Sequence, residues 1–261
     1  MRFLFWNTHK NQEIDKYIAA IVVENKIDFI CLAEYSGKAD NLCHLLENQK
    51  KFKLLDSPGC ERITIIGEAG VITPGFHDNY SSFQVLKNRV LLCMVHLPSK
   101  IYCDEETREL VASNLVYEIE KFESSHKGIS TIVFGDFNDN PYKKLCLCAG
   151  YFHGIPNSTD SKRIKRTIFN KEYKMFYNPM WNHYGNESFP PGTYYYNSGE
   201  AECTYWNMYD QVIIRPDLIE CFKDSELRIL CKAGEYELID SNNHPNKSIS
   251  DHLPIIFELE V

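Results

Sequence analysis

The chain has 261 residues, 44% of them apolar and 13% aromatic, which suits a protein with a sizeable core and excludes an intrinsically disordered one. Its 28 basic and 36 acidic residues leave a net charge of −8, which argues against a general polyanion binder. No apolar run approaches the ~20 residues that cross a bilayer, so no membrane partner is expected.

Residues 3–6 read as a strand that stops at Asn7-Thr8-His9-Lys10. This apolar start is too short for a signal-peptide core, and a cytoplasmic protein is expected. Residues 11–24 read as a helix with Ile14, Tyr17, Ile18, Ile21 and Val22 on one face. Residues 27–33 are nearly continuously apolar, as in a central buried strand, and 41–49 form a short helix. From 52 to 96 the pattern is of short antiparallel strands, with turn signals at Ser57-Pro58-Gly59, Thr73-Pro74-Gly75 and His77-Asp78-Asn79. A helix follows over 105–122, a strand over 131–134, and a helix over 142–149 closed by Gly150. The stretch 155–208 is the least regular, and strands are expected at 211–214, 227–230, 236–239 and 255–259. With no linker, repeat or low-complexity segment, the pattern implies one mixed α/β domain over residues 1–261.

Ten cysteines include no Cys-x-x-Cys pair, and Cys146-x-Cys148 is too tight for a zinc knuckle. Cys31, Cys93 and Cys231 lie in or beside apolar runs, where a thiol behaves as a small hydrophobe. All ten are expected to be reduced thiols.

Six segments place a polar group at the edge of an apolar, strand-like run. They are Phe5-Trp6-Asn7, Cys31-Leu32-Ala33-Glu34, Met94-Val95-His96, Phe134-Gly135-Asp136-Phe137-Asn138, Met208-Tyr209-Asp210-Gln211-Val212 and Ser250-Asp251-His252. One such edge is ordinary, because a strand leaving the core often ends in a polar residue. Together the six supply two amides, four carboxylates and two imidazoles, with no Gly-x-Ser-x-Gly elbow and no phosphate-binding P-loop. That set suits a hard, oxygen-liganded cation such as Mg²⁺, with Mn²⁺ as a substitute, better than zinc.

In order and spacing, Gly135-Asp136-Phe137-Asn138 and Ser250-Asp251-His252-Leu253-Pro254, with Asn7, Glu34 and the Asp210 segment, resemble the endonuclease/exonuclease/phosphatase superfamily from Asn7 to His252. The resemblance implies a four-layer α/β/β/α sandwich of two mixed sheets with outer helices. It implies that Glu34 is the principal metal ligand, with Asn7 and Asp251 in or near the metal shell. Asp136 would orient or deprotonate the attacking water, and Asn138 would hold a phosphoryl oxygen. His252 would contact the phosphate while Asp210 fixes its tautomer. His96 matches the second histidine of the deoxyribonuclease branch; its partner carboxylate has no clear match, and Glu61 and Glu68 are the candidates. Met208-Tyr209-Asp210-Gln211 departs from the inositol phosphatase pattern, and Leu32-Ala33-Glu34-Tyr35-Ser36 departs from the abasic-site one.

The substrate is expected to be nucleic acid, DNA or RNA, with a small phosphorylated molecule as the alternative. A non-catalytic binding protein on the same fold is the third reading, disfavoured because every matched catalytic position is filled. Lys162, Arg163, Lys165 and Arg166, followed by many aromatic residues, suit a phosphodiester chain with stacked bases. Equally, the basic run is a solvated loop and the rings fill the core. Trp206, four residues before Asp210, is the ring expected at the cleft. The other histidines, His9 among them, are read as surface or structural.

Overall fold

A computed structural model describes residues 1–68, 72–199 and 201–260. The first of its two large sheets has six strands, in the spatial order Arg228–Ile229, Ile255–Glu258, Arg2–Asn7, Phe29–Ala33, Ile63–Glu68 and Phe52–Leu54. The second has seven, in the order Ile72–His77, Ser81–Leu86, Val90–His96, Ser130–Asp136, Asp210–Ile214, Phe176–Tyr177 and Gly154–Ile155. Both sheets are mixed: Arg2–Asn7 runs parallel to Phe29–Ala33, and Val90–His96 parallel to Ser130–Asp136, among antiparallel neighbours. Helices Asp15–Asn25 and Ala39–Leu45 pack on the first sheet and Glu105–Ser125 on the second, completing the α/β/β/α sandwich.

Strand periodicity explains the layering. Leu92, Met94, Ile132, Phe134, Val212 and Ile214 turn to the space between the sheets. Their neighbours Leu91, Cys93, Val95, Val133 and Ile213 turn the other way and meet Ala112, Leu115 and Ile119 of Glu105–Ser125. Between the sheets Phe3 stacks on Phe257 at 4.8 Å, and Phe134 meets Phe257 edge-on at 5.1 Å. Each such buried ring contributes roughly 1.5–3 kcal/mol.

The same alternation carries on to the strand ends. His96, Asp136 and Asp210 share the parity of Met94, Phe134 and Val212, so they too face the inter-sheet space, where apolar side chains give way to polar ones. Register sets His96 beside Asp136, and Asp136 beside Asp210. Gly135 makes this row possible. Its φ is 143°, and a Cβ there would lie 2.0 Å from the Val95 carbonyl oxygen.

Local expectations fail where tertiary pairing decides. Thr73-Pro74-Gly75 is not a turn but lies inside the edge strand Ile72–His77, whose register shifts between Pro74 and His77; an edge strand tolerates a residue with no N–H. The helix expected at 142–149 is only Lys144–Leu147. The strand expected at 236–239 is Tyr236–Glu237, paired with Lys232–Ala233 outside both large sheets. The irregular stretch contains two small hairpins, Lys165–Ile168 with Lys171–Lys174 and Tyr194–Tyr195 with Trp206–Asn207. Among the described residues no disulfide joins two cysteines, and no helix is long and apolar enough to cross a membrane.

Gly135→Ala combines a clash with a disfavoured φ, so it is expected to destabilise the fold by about 2–4 kcal/mol. Urea unfolding measures this; an unchanged midpoint would contradict the close approach of the two strands.

Candidate active site

Asn7 is the last residue of its strand, and its side chain spans the gap between the sheets: Nδ2 donates to Asp136 Oδ2 at 3.0 Å. The backbone N–H of Asn138 donates to the other oxygen, Oδ1, at 2.8 Å. Asp136 is buried, and desolvation drives its carboxyl up to about 7; the His252 charge opposes that rise and the Asp210 charge adds to it.

His252 Nδ1 lies 2.8 Å from Asp210 Oδ2, and Asp210 is fully buried. Burial works against an imidazolium here, but the Asp210 carboxylate, supported by Asp136 and Asp251, outweighs it and lifts His252 to about 10. The ring therefore carries its proton at neutral pH, with Nδ1–H directed at Asp210. Neighbouring elements hold this pair in place. The His252 N–H donates to Ser250 Oγ at 3.1 Å, and Ser250 Oγ donates to the Asn7 carbonyl at 2.7 Å. Trp6 Nε1 donates to the His252 carbonyl at 2.9 Å, and the Asp210 N–H donates to Thr193 Oγ1 at 3.1 Å. The Tyr194 ring lies 4.8 Å from the imidazole.

His96 is also buried, with Nε2 3.6 Å from Glu34 Oε1 and 3.8 Å from Asp136 Oδ2. Desolvation, with the positive charges of Arg62, His252 and Lys10, lowers it to about 4 in spite of the two nearby carboxylates, so the ring is neutral. Its acidic neighbours are thus Glu34 and Asp136; Glu61 and Glu68, the candidates from sequence, are exposed. Glu34 sits at φ 51°, held by its N–H to the Arg62 carbonyl and by its own carbonyl, which accepts from the Lys10 N–H and Thr8 Oγ1. Asn138 is likewise left-handed, at φ 49°, and its Nδ2 donates to the Leu97 carbonyl at 2.9 Å.

The donor set fits a divalent cation. Among the described residues, Asp136, Asp210 and His252 form the group of three metal-capable side chains whose ligand atoms lie within 4.8 Å of one another. Asp210 Oδ1 and Asp251 Oδ1 are buried and accept no hydrogen bond, so each keeps lone pairs free for a cation. A proton on His252 competes with a metal for that cluster. At the adjoining strand ends of the first sheet stand Glu34, Asn7 and Asp251, oxygen donors of the kind Mg²⁺ and Mn²⁺ take.

The expected substrate contacts fall elsewhere. Trp206 pairs with Tyr195 across its hairpin and packs against Phe189, Tyr195 and His244. Tyr194, on the opposite face of that hairpin, is the residue whose ring meets His252. Lys162 pairs with Glu220, Arg163 with Asp160, Lys165 with Glu172, and Arg166 lies 3.3 Å from His153. These four cluster at the end of the second sheet where Asp210–Ile214 finishes and Ser130–Asp136 begins. Lys174, the residue paired with Lys165 in that hairpin, is anchored there through Glu123, which also binds Arg215 and Thr131. That end is opposite Asp136 and Asp210, so the basic run is not brought to the site.

Three residues that position the site were given no such role from sequence. Ser250 links His252 to Asn7, and Tyr194 packs on His252. Arg108 is buried and donates to the Pro98 and Asn138 carbonyls, fixing the two loops beside Asp136. Its signal was present: Arg108 sits at helical spacing from Ala112, Leu115 and Ile119, a charge in an apolar stripe.

No protein-family model matches this chain, and no curated protein matches it by sequence. Solved structures do match over the whole length. A 3′–5′ exonuclease from Neisseria meningitidis superposes with a TM-score of 0.60 at 13% identity, covering 100% of both chains. A mannosyl-6-phosphatase from Bacteroides thetaiotaomicron gives 0.58 at 12% identity, and an endonuclease/exonuclease/phosphatase family protein from Leptotrichia buccalis 0.56 at 14%, each covering 100% of both chains. The class of fold is thereby defined: this chain has the sandwich of the endonuclease/exonuclease/phosphatase proteins.

In metal-free protein in EDTA, ¹⁵N NMR of His252 is expected to show an imidazolium through pH 8, with titration near 10. Asp210→Asn should bring the midpoint down towards the ordinary histidine value of about 6.5. Titration of the wild-type ring near 6.5 would contradict the charged pair.

Proposed function

We propose that this chain belongs to the endonuclease/exonuclease/phosphatase superfamily and is a divalent-metal-dependent phosphodiester hydrolase. Its substrate is nucleic acid, DNA or RNA, cut by in-line attack of water. One observation carries the reading: two sheets bring a buried carboxylate, a charged His–Asp pair and two amides to one point, with no serine or cysteine nucleophile among them.

Asp136 orients the attacking water and takes its proton. Its raised carboxyl is a stronger base than an ordinary aspartate, and Asn7 and the Asn138 N–H fix its rotamer. His252, protonated and locked by Asp210, directs Nε2–H at a non-bridging phosphoryl oxygen and stabilises charge that grows in the transition state. Asn138, anchored on the Leu97 carbonyl, offers its second amide N–H to another phosphoryl oxygen. Glu34, Asn7 and Asp251 would hold the cation, which when bound would supply charge neutralisation at the phosphate and at the leaving oxygen.

A second reading, hydrolysis of a small phosphorylated molecule, is favoured by one observation: Lys162, Arg163 and Lys165 are charge-paired and the basic run is remote from Asp136. The two readings differ in salt response. A polyanion substrate loses affinity steeply as salt rises, and a small one does not. Neutralising Lys162 and Lys165 is expected to leave cleavage unchanged. Lys10→Ala and Arg62→Ala, whose charges reach His96, should weaken nucleic-acid binding and flatten its salt dependence.

Purified protein with Mg²⁺ or Mn²⁺ is expected to cleave phosphodiesters and to stop in EDTA. Asp136→Asn and Glu34→Gln should each lower kcat by about 10²–10³-fold or more with circular dichroism unchanged. Near wild-type rates in both variants would refute the assignment.

A further inference from the structure

His9 stands apart from the other histidines regarded as surface residues. Its Nδ1 lies 3.2 Å from Asp251 Oδ1, the ring is more than half exposed, and the Asp251 oxygen is buried. Despite that separation no hydrogen bond joins them: Asp251 Oδ1 accepts none. Two donor atoms this close have the spacing of neighbouring ligands on one ion. Donors about 2.1 Å from a cation and at right angles lie roughly 3 Å apart.

The local backbone holds the ring in this position. His9 and Lys10 are both left-handed, at φ 48° and 56°. The turn is closed by the Asn11 N–H to the Thr8 carbonyl and by the Lys10 N–H to the Glu34 carbonyl. Asn11 Nδ2 donates to the Ile249 carbonyl at 2.9 Å, tying the turn to the segment that carries Asp251. The His9 N–H donates to Asn7 Oδ1 at 3.1 Å. One turn thus adjoins two of the oxygen donors, Asn7 Oδ1 and Asp251 Oδ1, and is tied to the backbone of Glu34.

We infer that His9 Nδ1 is a nitrogen ligand to the divalent cation it shares with Asp251, so that the site selects a first-row transition cation over Mg²⁺. This rests on the metal-dependent reading above. An imidazole nitrogen adds affinity for transition cations, whereas Mg²⁺ takes oxygen donors and water. Neutral imidazole is required for ligation, and the exposure of His9 gives an incoming ion access to the ring.

The test uses Mn²⁺ alone as the probe of the full chain. Its binding is read by EPR, and directly bound nitrogen by ¹⁴N modulation in pulsed EPR. Wild type is expected to bind Mn²⁺ with imidazole ¹⁴N coupling. His9→Asn should lose the coupling and bind about ten- to a hundredfold more weakly. His9→Asp, which replaces the nitrogen donor by oxygen, should lose the coupling, keep binding Mn²⁺ and narrow its preference over Mg²⁺. Mn²⁺ bound to wild type without the coupling, or coupling that survives in His9→Asn, would overturn the inference and leave the metal-dependent reading standing. No Mn²⁺ binding by wild type would overturn both.

Discussion

Two carboxylates, Asp136 and Asp210, sit side by side with almost no exposure in the seam between two sheets, and the molecule has to neutralise them. Bringing an ionised group out of water costs several kcal/mol unless charge and hydrogen bonds compensate it. The imidazolium of His252 does this for Asp210, and Asn7 with the Asn138 N–H does it in part for Asp136. What remains uncompensated shows in the raised Asp136 carboxyl. The fold around the seam serves this arrangement. Strand register aligns the two acids, Gly135 lets the strands close, and Trp6, Thr193 and Ser250 fix the histidine segment.

The same arrangement gives the site its chemistry. In the proposed reaction, an oxyanion of a phosphoryl group would meet a cationic ring already desolvated and oriented, so little reorganisation would accompany the step. A base with a carboxyl near 7 is suited to accept a water proton near neutrality. With Glu34 and Asp251 nearby, acidic groups outnumber the charged His252 at the site, and the proposed phosphate substrate would enter only alongside further positive charge. Lys10 and Arg62 supply some of it from the rim.

Much of this was legible in the sequence because the site residues end apolar runs. A polar residue that continues the inward parity of a buried strand, as Asp136 does after Phe134 and Asp210 does before Val212, must face the seam. Other features depend on information a local pattern does not contain. The basic run from Lys162 to Arg166 gave no sign of which end of the sheet it would occupy, and the structure places it at the far end. Trp206 lies close to Asp210 in sequence, yet strand pairing puts its ring with Tyr195 and gives the inward face to Tyr194. The acidic neighbours of His96 arrive from two different strand ends, so no spacing could reveal them. Pro74 signalled a turn but is accommodated by an edge strand.

The central claim is that Asp136 and His252, carried by different segments, act as one charged unit on a phosphodiester. The direct measurement is a double-mutant cycle on kcat/KM with Asp136→Asn, His252→Gln and the two combined. Groups that act as a unit are non-additive, so the double variant should be about as slow as the slower single one. Losses that multiply in the double variant would show the two residues acting independently and would contradict the claim.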